Sequence, residues 1–271
     1  MNTATFSDPL DFSGKTVLVV GGSSGIGNGI AQGFRRHGAQ VHVWGTRAAA
    51  SEYSADEGSD LAGLHYARVD VGDFDAVKAA PAPDPLDVLV LCQGTVAYGR
   101  KEFEMDTFQR IIDVNLNSLM ACALKFRDAL AARQGSLITI SSVGGMRATR
   151  GNPAYAASKA GAIHLTATLA QAWAHKGIRV NGVAPGLVDT KLTKVTIGNE
   201  ERLRERLEGI PANRLGTPDD MAGACLYLAS PLAAYVYGQT ISVDGGRPVK
   251  QVEPVERVQH VVHQVVQRTL E

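Results

Sequence analysis

Cysteine is scarce in this chain, long apolar runs are missing, and neither sign of charge is in surplus; each shortage excludes a class of protein. The three cysteines, Cys92, Cys122 and Cys225, are too few and too far apart for a disulfide framework, and none shows CxxC metal spacing. A reducing, cytoplasmic compartment is expected. No apolar stretch approaches the roughly 20 residues that span a bilayer, and the first fourteen residues hold neither Lys nor Arg nor a continuous apolar segment, so no secretory signal is expected. Lys plus Arg equals Asp plus Glu at 27 each, with no basic block. Without a net field to gather phosphate polymers or anionic lipid, nucleic acid and membrane surfaces are not expected partners.

What the chain does have is enough apolar material for a full core, 45% of 271 residues. Short β-branched runs alternate with longer alanine-rich stretches of helical periodicity, the pattern of βαβ units around a parallel sheet. Strands are predicted at residues 16–20, 40–44, 64–69, 88–91, 136–140, 179–183 and 240–243. Runs such as Val88-Leu89-Val90-Leu91 are apolar at every position, which requires both sheet faces to be covered. The expected fold is therefore α/β, a doubly wound, seven-stranded parallel sheet of the Rossmann type with helices on both faces. One domain is expected over residues 1–250, followed by an extension over 251–271. In that tail Val255, Val258, Val262, Val265 and Val266 follow Pro254 at roughly helical spacing, predicting a short amphipathic helix; a loosely ordered tail is the plain alternative. Residues 187–210, which follow Pro185-Gly186 and contain the charged segment Glu200 to Glu208, predict a substrate lid carrying a helix.

The first strand runs directly into Gly21-Gly22-Ser23-Ser24-Gly25-Ile26-Gly27, and helical sequence follows. A glycine cluster alone also fits a purely structural turn. Placed between the first strand and its helix, it lets the backbone approach a pyrophosphate whose charge the helix start favours. Gly21, Gly25 and Gly27 have the spacing GxxxGxG, and here the sequence resembles the short-chain dehydrogenase/reductase family, although Val20 stands where that family usually has Thr.

The adenosine ribose is expected at the end of the second strand, where the residues are Gly45-Thr46-Arg47 and the nearest acid, Glu52, lies beyond the strand end. Arg47 suits a 2′-phosphate, so NADP(H) is expected to be preferred, with NAD(H) also accepted; a solvated loop cation is the plain alternative for Arg47. The resemblance implies further cofactor contacts from Asp70 and Val71 at the adenine and Gly94 under the cofactor. It also implies that Pro185 and Gly186 wrap the nicotinamide end, with Val188 and Thr190 at the carboxamide and phosphate.

Asn152-Pro153 reads as a helix start with a capping side chain. Tyr155 and Lys159 follow, and a separation of four puts them on one helix face. A phenol with a pKa of about 10 serves as acid or base near neutrality only if that pKa falls. Three units correspond to roughly 4 kcal/mol, and one cation at about 4 Å supplies a similar amount at an effective dielectric of about 20. The strand over residues 136–140 delivers Ser141-Ser142 to its carboxyl end, and alternation points Ser142 rather than Ser141 toward the substrate.

Ser142, Tyr155 and Lys159 match the family's catalytic triad in identity and spacing, and Asn115 in Val114-Asn115-Leu116 matches its fourth member. The resemblance implies that Tyr155 is acid and base and that Lys159 lowers its pKa and holds the nicotinamide ribose. It further implies that Ser142 orients the substrate and that Asn115 supports a water-mediated proton relay. Ile178-Arg179-Val180-Asn181, Arg214-Leu215-Gly216-Thr217-Pro218 and Val243-Asp244-Gly245-Gly246 extend it over about residues 12 to 247, closest to the bacterial 3-oxoacyl carrier-protein reductase-like branch, usually tetrameric. A homo-oligomer, tetramer or dimer, is thus expected.

One departure stands out: Leu91-Cys92-Gln93-Gly94 replaces the family's Asn-Asn-Ala-Gly. Cys92 reads as a packed small hydrophobe. The seven histidines show no metal-ligating cluster and read as structural or solvated, so no metal is expected. The expected activity is hydride transfer between NADP(H) or NAD(H) and a ketone or secondary alcohol. The pocket is expected from residues 96–100, 143–151 and 187–210; Met146 favours an apolar portion of substrate, and Arg147, Arg150 and Lys191 an anionic end. A non-catalytic dinucleotide sensor of the same fold is the alternative, and a broken quartet would be its sign. A sugar-nucleotide epimerase or dehydratase would need a longer carboxyl-terminal domain than the 24 residues after Arg247 allow.

Overall fold

In the computed structural model, which describes residues 8–55, 58–191, 193 and 199–247, all the predicted strands form and join one parallel sheet. They are β1 (Thr16–Val20), β2 (Gln40–Gly45), β3 (His65–Arg68), β4 (Val88–Leu91), β5 (Ser136–Ile140), β6 (Arg179–Pro185) and β7 (Thr240–Val243), in the spatial order β3-β2-β1-β4-β5-β6-β7. The β2 and β6 strands run one and two residues past their expected ends, and β3 is one residue shorter at each side. The helices are α1 (Gly25–Arg36), α2 (Phe74–Ala79), α3 (Met105–Ile112), α4 (Ser118–Arg133), α5 (Pro153–Trp173), α6 (Glu200–Glu208) and α7 (Pro218–Ala229). The expected amphipathic helix of the tail lies outside the described residues.

The fully apolar strands resolve into two cores because side chains alternate across the pleat. From β1, Val17 and Val19 join Ile30 and Phe34 of α1 and Met221 and Leu226 of α7 on one face. Leu18 and Val20 turn to the other face, with Leu119 and Phe126 of α4 and Leu169 and Trp173 of α5. The β4 strand divides in the same way, Val88 and Val90 to the first core, Leu89 and Leu91 to the second. At roughly 1.5–3 kcal/mol for each fully buried large apolar side chain, this two-sided burial is the main force holding the sheet.

The chain turns from β1 outward in one direction through β2 and β3 and in the other through β4 to β7. The reversal between β1 and β4 opens a crevice at the carboxyl ends of the strands, where α/β sheets bind ligands. The amino end of β4 is anchored by Asp87, which is buried while its cationic partners are half-exposed. It accepts from the Thr16 amide (3.0 Å), Lys15 Nζ (3.2 Å) and Arg133 Nε (3.1 Å). Burial alone would raise its pKa, but the amide and the two cations outweigh burial and hold it below the usual value. Among the described residues no helix is long and apolar enough to cross a membrane.

Removing this carboxylate leaves the Thr16 amide unpaired inside the protein, so Asp87→Ala should lower stability by about 2 kcal/mol at neutral pH. The Asp87 contribution is present above the unfolded carboxyl pKa and fades as pH falls through the lower folded value. The gap between denaturant melts of wild type and Asp87→Ala should therefore narrow as pH falls below about 3.8; a gap that does not change in acid would reject this account.

Candidate active site

Four strand ends deliver the predicted residues to the crevice: β1 leads to Gly21, β4 to Gly94, β5 to Ser142 and β6 to Gly186. The β5 strand places Ser141 and Ser142 on opposite sides. Ser141 is buried and its hydroxyl donates to the Val183 carbonyl (3.1 Å), whereas Ser142 is half-buried, and its Oγ and the Tyr155 ring lie 3.3 and 3.5 Å from the position a Cβ on Gly144 would take. Ser142 Oγ also accepts from the Gly144 amide (3.0 Å), which fixes its rotamer.

Tyr155 and Lys159 share one face of α5, with the Lys159 Nζ 5.8 Å from the centre of the phenol ring. The ammonium is buried, and it donates to the Ile140 carbonyl at 3.0 Å, so α5 is tied across the end of β5. A Cβ on Gly94 would come within 3.2 Å of Nζ, so a bare backbone at position 94 makes room for the cation.

The electrostatics depart from the sequence expectation of a lowered Tyr155 pKa. Burial raises the phenol above its ordinary value, the Ser142 hydrogen bond opposes this, and Tyr98, Cys92 and Glu102 add to the rise. Burial also lowers Lys159 itself, from 10.5 to about 8.

The amino end of α5 corrects a second expectation. Asn152 makes no side-chain cap; its Nδ2 donates to the Ala97 carbonyl (3.0 Å) and to Glu102 Oε1 (3.1 Å). The cap comes from Glu102, distant in sequence and fully buried, whose Oε2 accepts from the Tyr155 amide (2.9 Å) while Oε1 also accepts from the Ala97 amide (3.1 Å). A carboxylate is well placed there, because a helix start carries unpaired N–H groups and partial positive charge. Sequence reasoning missed Glu102: it lies in Arg100-Lys101-Glu102-Phe103-Glu104, where nothing in the local pattern separates a buried carboxylate from exposed ones.

Asn115 is fully buried in a π-helical turn, Asp113–Asn117. Its Oδ1 accepts from the Thr95 amide (2.7 Å), and its Nδ2 donates to the Thr95 carbonyl (2.9 Å) and to Ser158 Oγ (3.1 Å). Ser158 in turn donates to the Tyr155 carbonyl (2.8 Å). The amide thus braces the turn after β4 against the helix of Tyr155. In the unusual Leu91-Cys92-Gln93-Gly94 loop, Gln93 donates to Ser118 Oγ (3.0 Å), tying the end of β4 to α4. Burial pushes the Cys92 thiol up to about 12, which suits a packed hydrophobe and not a nucleophile.

The residues fit a dinucleotide. At the glycine turn, Gly25 has φ +54°, and a Cβ on Gly27 would lie 2.2 Å from the Gly21 carbonyl, so the turn closes only with glycine there. Ser24 starts α1 without a side-chain cap and the first turn holds no acid, which leaves the helix start with its N–H groups and positive character for phosphate. Ser23 is buried beside this turn and Ile26 is half-buried in the first turn of α1. The Thr190 side chain lies 3.6 Å from the Cβ position of Gly25, which brings the segment after β6 over the turn. Pro185 ends β6, and Val188 forms a bridge with Gly216 that fixes that segment. Asp70 is exposed and accepts from the Gly72 amide (2.9 Å), while Val71 is buried. Thr46 is exposed; the Arg47 guanidinium lies over the Tyr53 ring, 4.5 Å from its centre, and donates to the Glu52 carbonyl.

Around the expected pocket, Arg147 lies near Arg247 and Arg206 of α6, with Asp244 as a counter-charge. The expected lid is described in part: α6 covers the predicted helix, capped by Asn199, and other residues of 187–210 lie outside the described set. His175 sits in a 3-10 turn just past α5, not on it. Among the described residues no group of three His, Cys, Asp or Glu is arranged to hold a metal.

A family model described as enoyl-(acyl carrier protein) reductase matches residues 20–247. A 3-oxoacyl-acyl-carrier-protein reductase of Chlamydia muridarum is 39% identical over 242 residues, covering 86% of this chain and 96% of that protein. Among solved structures, a 7α-hydroxysteroid dehydrogenase in complex with NADH and 7-oxo glycochenodeoxycholic acid aligns with a TM-score of 0.81 at 31% identity, covering 91% of this chain and all of that one. The RhlG–NADP active-site complex of Pseudomonas aeruginosa aligns with a TM-score of 0.79 at 27% identity, covering 89% and 99%.

Because the folded Lys159 binds its proton less tightly than the unfolded one, wild-type stability should rise as pH climbs from about 8 to 10.5. Lys159→Met lacks this term. Its stability relative to wild type should therefore fall by roughly 1.4 kcal/mol per pH unit across that window in the cofactor-free protein. Parallel denaturation curves at pH 7.5, 9 and 10 check this, and a constant difference would overturn the buried-cation reading.

Proposed function

The chain belongs to the short-chain dehydrogenase/reductase family, as an NAD(P)-dependent oxidoreductase acting on ketones and secondary alcohols, and we propose that Ser142, Tyr155 and Lys159 carry its proton chemistry. The observation that carries this reading is the meeting of the Ser142 hydroxyl and the Tyr155 ring at Gly144, with the buried Lys159 cation one turn further along the same helix. A bound nicotinamide supplies or accepts the hydride. The substrate oxygen sits between the Ser142 and Tyr155 hydroxyls. Its raised pKa keeps the Tyr155 phenol protonated near neutrality, ready to donate as a carbonyl becomes an alcohol. The Lys159 ammonium then favours the phenolate left behind, and in the reverse direction the phenolate takes the alcohol proton. Asn115 and Glu102 act as positioning residues, holding the turn at Gly94 and the start of the helix that carries Tyr155.

The cradle for the dinucleotide comprises Gly21, Ser23, Ser24, Gly25, Ile26 and Gly27 at the pyrophosphate, and Thr46, Arg47, Asp70 and Val71 around the adenosine. Gly94, Pro185, Gly186, Val188 and Thr190 complete it toward the nicotinamide. Arg47 at the end of β2, with no acidic side chain at Gly45 or Thr46, favours NADP(H) over NAD(H). The Arg147, Arg206 and Arg247 group beside the expected pocket favours a substrate with an anionic end.

A homotetramer in the cytoplasm is the expected state of this protein. Two separate sets of exposed apolar side chains support the assembly: Phe103, Met105 and Leu124 on α3 and α4 and their approach, and Leu232 with the fully exposed Tyr235 ahead of β7. Light scattering that returned the mass of a single chain would reject it.

Replacing Tyr155 with Phe should cut turnover by at least about 100-fold while leaving the cofactor dissociation constant within about twofold, since the lost hydroxyl serves the proton and not the dinucleotide. The assay follows reduced-nicotinamide absorbance over paired ketones with and without a carboxylate, and calorimetry compares NADPH with NADH. Near-normal turnover would remove Tyr155 from its role, and tighter binding of NADH would remove the NADP(H) preference.

A further inference from the structure

A side chain that no expectation included occupies the end of β2. Tyr53, eight residues beyond Gly45, folds back so that its hydroxyl accepts from the Arg47 amide at 3.2 Å. The Ser23 and Tyr66 hydroxyls and the Thr46 backbone lie close enough to this oxygen to shift its pKa. Tyr66 also donates to the Arg47 carbonyl at 2.5 Å, and the two phenol rings meet edge to face with centres 5.6 Å apart. A Cβ on Gly45 would lie 2.6 Å from both the Tyr53 oxygen and Ser23 Oγ, so both oxygens press against the bare backbone where the strand ends.

The groups around this oxygen are those that hold a phosphate oxygen: two backbone groups of a turn, a hydroxyl and a guanidinium one bond network away. They also shift the phenol. Burial would raise its pKa, yet the hydrogen bonds from Ser23, Arg47, Tyr66 and Thr46 together bring it below the ordinary value, so the location favours negative charge on oxygen. Arg47 is meanwhile turned away from open solvent, stacked on the Tyr53 ring and donating to the Glu52 carbonyl.

We infer that the Tyr53 hydroxyl is a built-in occupant of the seat for the adenosine 2′ substituent, and so a residue that sets the choice between NADP(H) and NAD(H). This rests on the cofactor cradle proposed above. A 2′-phosphate must displace the phenol from Ser23 and the Arg47 amide and draw the guanidinium off the ring, whereas a 2′-hydroxyl leaves both where they are. Arg47 attracts the phosphate and Tyr53 opposes it, and the measured preference is the balance of the two. The displacement is feasible because charge-assisted hydrogen bonds to phosphate are stronger than the neutral ones to a phenol.

Calorimetric titration of the full chain with adenosine 2′,5′-bisphosphate and with 5′-AMP tests this without turnover. Tyr53→Phe keeps the ring under Arg47 and removes only the competing oxygen. It should tighten binding of the bisphosphate about fivefold to tenfold while changing 5′-AMP by less than about twofold. Tyr53→Leu, which also frees the guanidinium, should move the ratio in the same direction, and thermal melts of each variant establish that it is folded. An unchanged ratio, an equal change for both ligands, or weaker bisphosphate binding in Tyr53→Phe would overturn the inference, the last by making the phenol a direct phosphate ligand. A wild-type preference for NADH would strike only at the proposed cofactor choice, because the Tyr53→Phe ratio is read against its own parent.

Discussion

The hydrogen bond from the buried Lys159 ammonium to the Ile140 carbonyl joins the two elements on which the active site is built. Lys159 belongs to the helix that carries Tyr155, and Ile140 is the last residue of the strand that delivers Ser142. A cation drawn into a dry interior is costly, and burial brings its pKa down to about 8. The fold carries that cost at the one point where a positive charge can stabilise a phenolate, and the neighbouring Gly94 leaves the volume for it. This contact holds the helix of Tyr155 across the end of the strand that leads to Ser142.

Around it, polar bracing is concentrated rather than spread. Glu102 caps the same helix at the Tyr155 amide, Asn115 links the turn after β4 to Ser158 of that helix, and Gln93 ties the end of β4 to α4. Each brace joins segments at least 20 residues apart in sequence. They are also buried, so each donor or acceptor lost would be left without water to replace it. The proposed catalytic groups are thereby held in place before any substrate arrives, which is what positioning requires of a rigid scaffold.

The substrate side is built differently. The expected lid helix α6 has no buried residue, only Leu203 and Leu207 being half-buried, and the arginines near the expected pocket belong to three separate segments, at 147, 206 and 247. The cofactor side shares this character at the end of β2, where Tyr53 and Arg47 fold against each other in a loop. The proton chemistry thus rests on the core, while the groups that select the ligands rest on loops that vary without disturbing it.

By itself the sequence determined the sheet, because alternation of side chains across a strand makes runs such as Val88-Leu89-Val90-Leu91 legible as two-sided burial. It also determined the glycine turn and the pairing of Tyr155 with Lys159, since both depend on spacings of a few residues within one turn or helix. Alternation likewise separated Ser142 from Ser141. Tertiary structure alone decided what closes over long distances: that Glu102 and not Asn152 caps the Tyr155 helix, that Lys159 reaches the Ile140 carbonyl, and that Tyr53 reaches back to Gly45. Local pattern records the period of a strand or helix, but which carboxylate or phenol meets a distant backbone amide depends on how the packed elements bring the loops together.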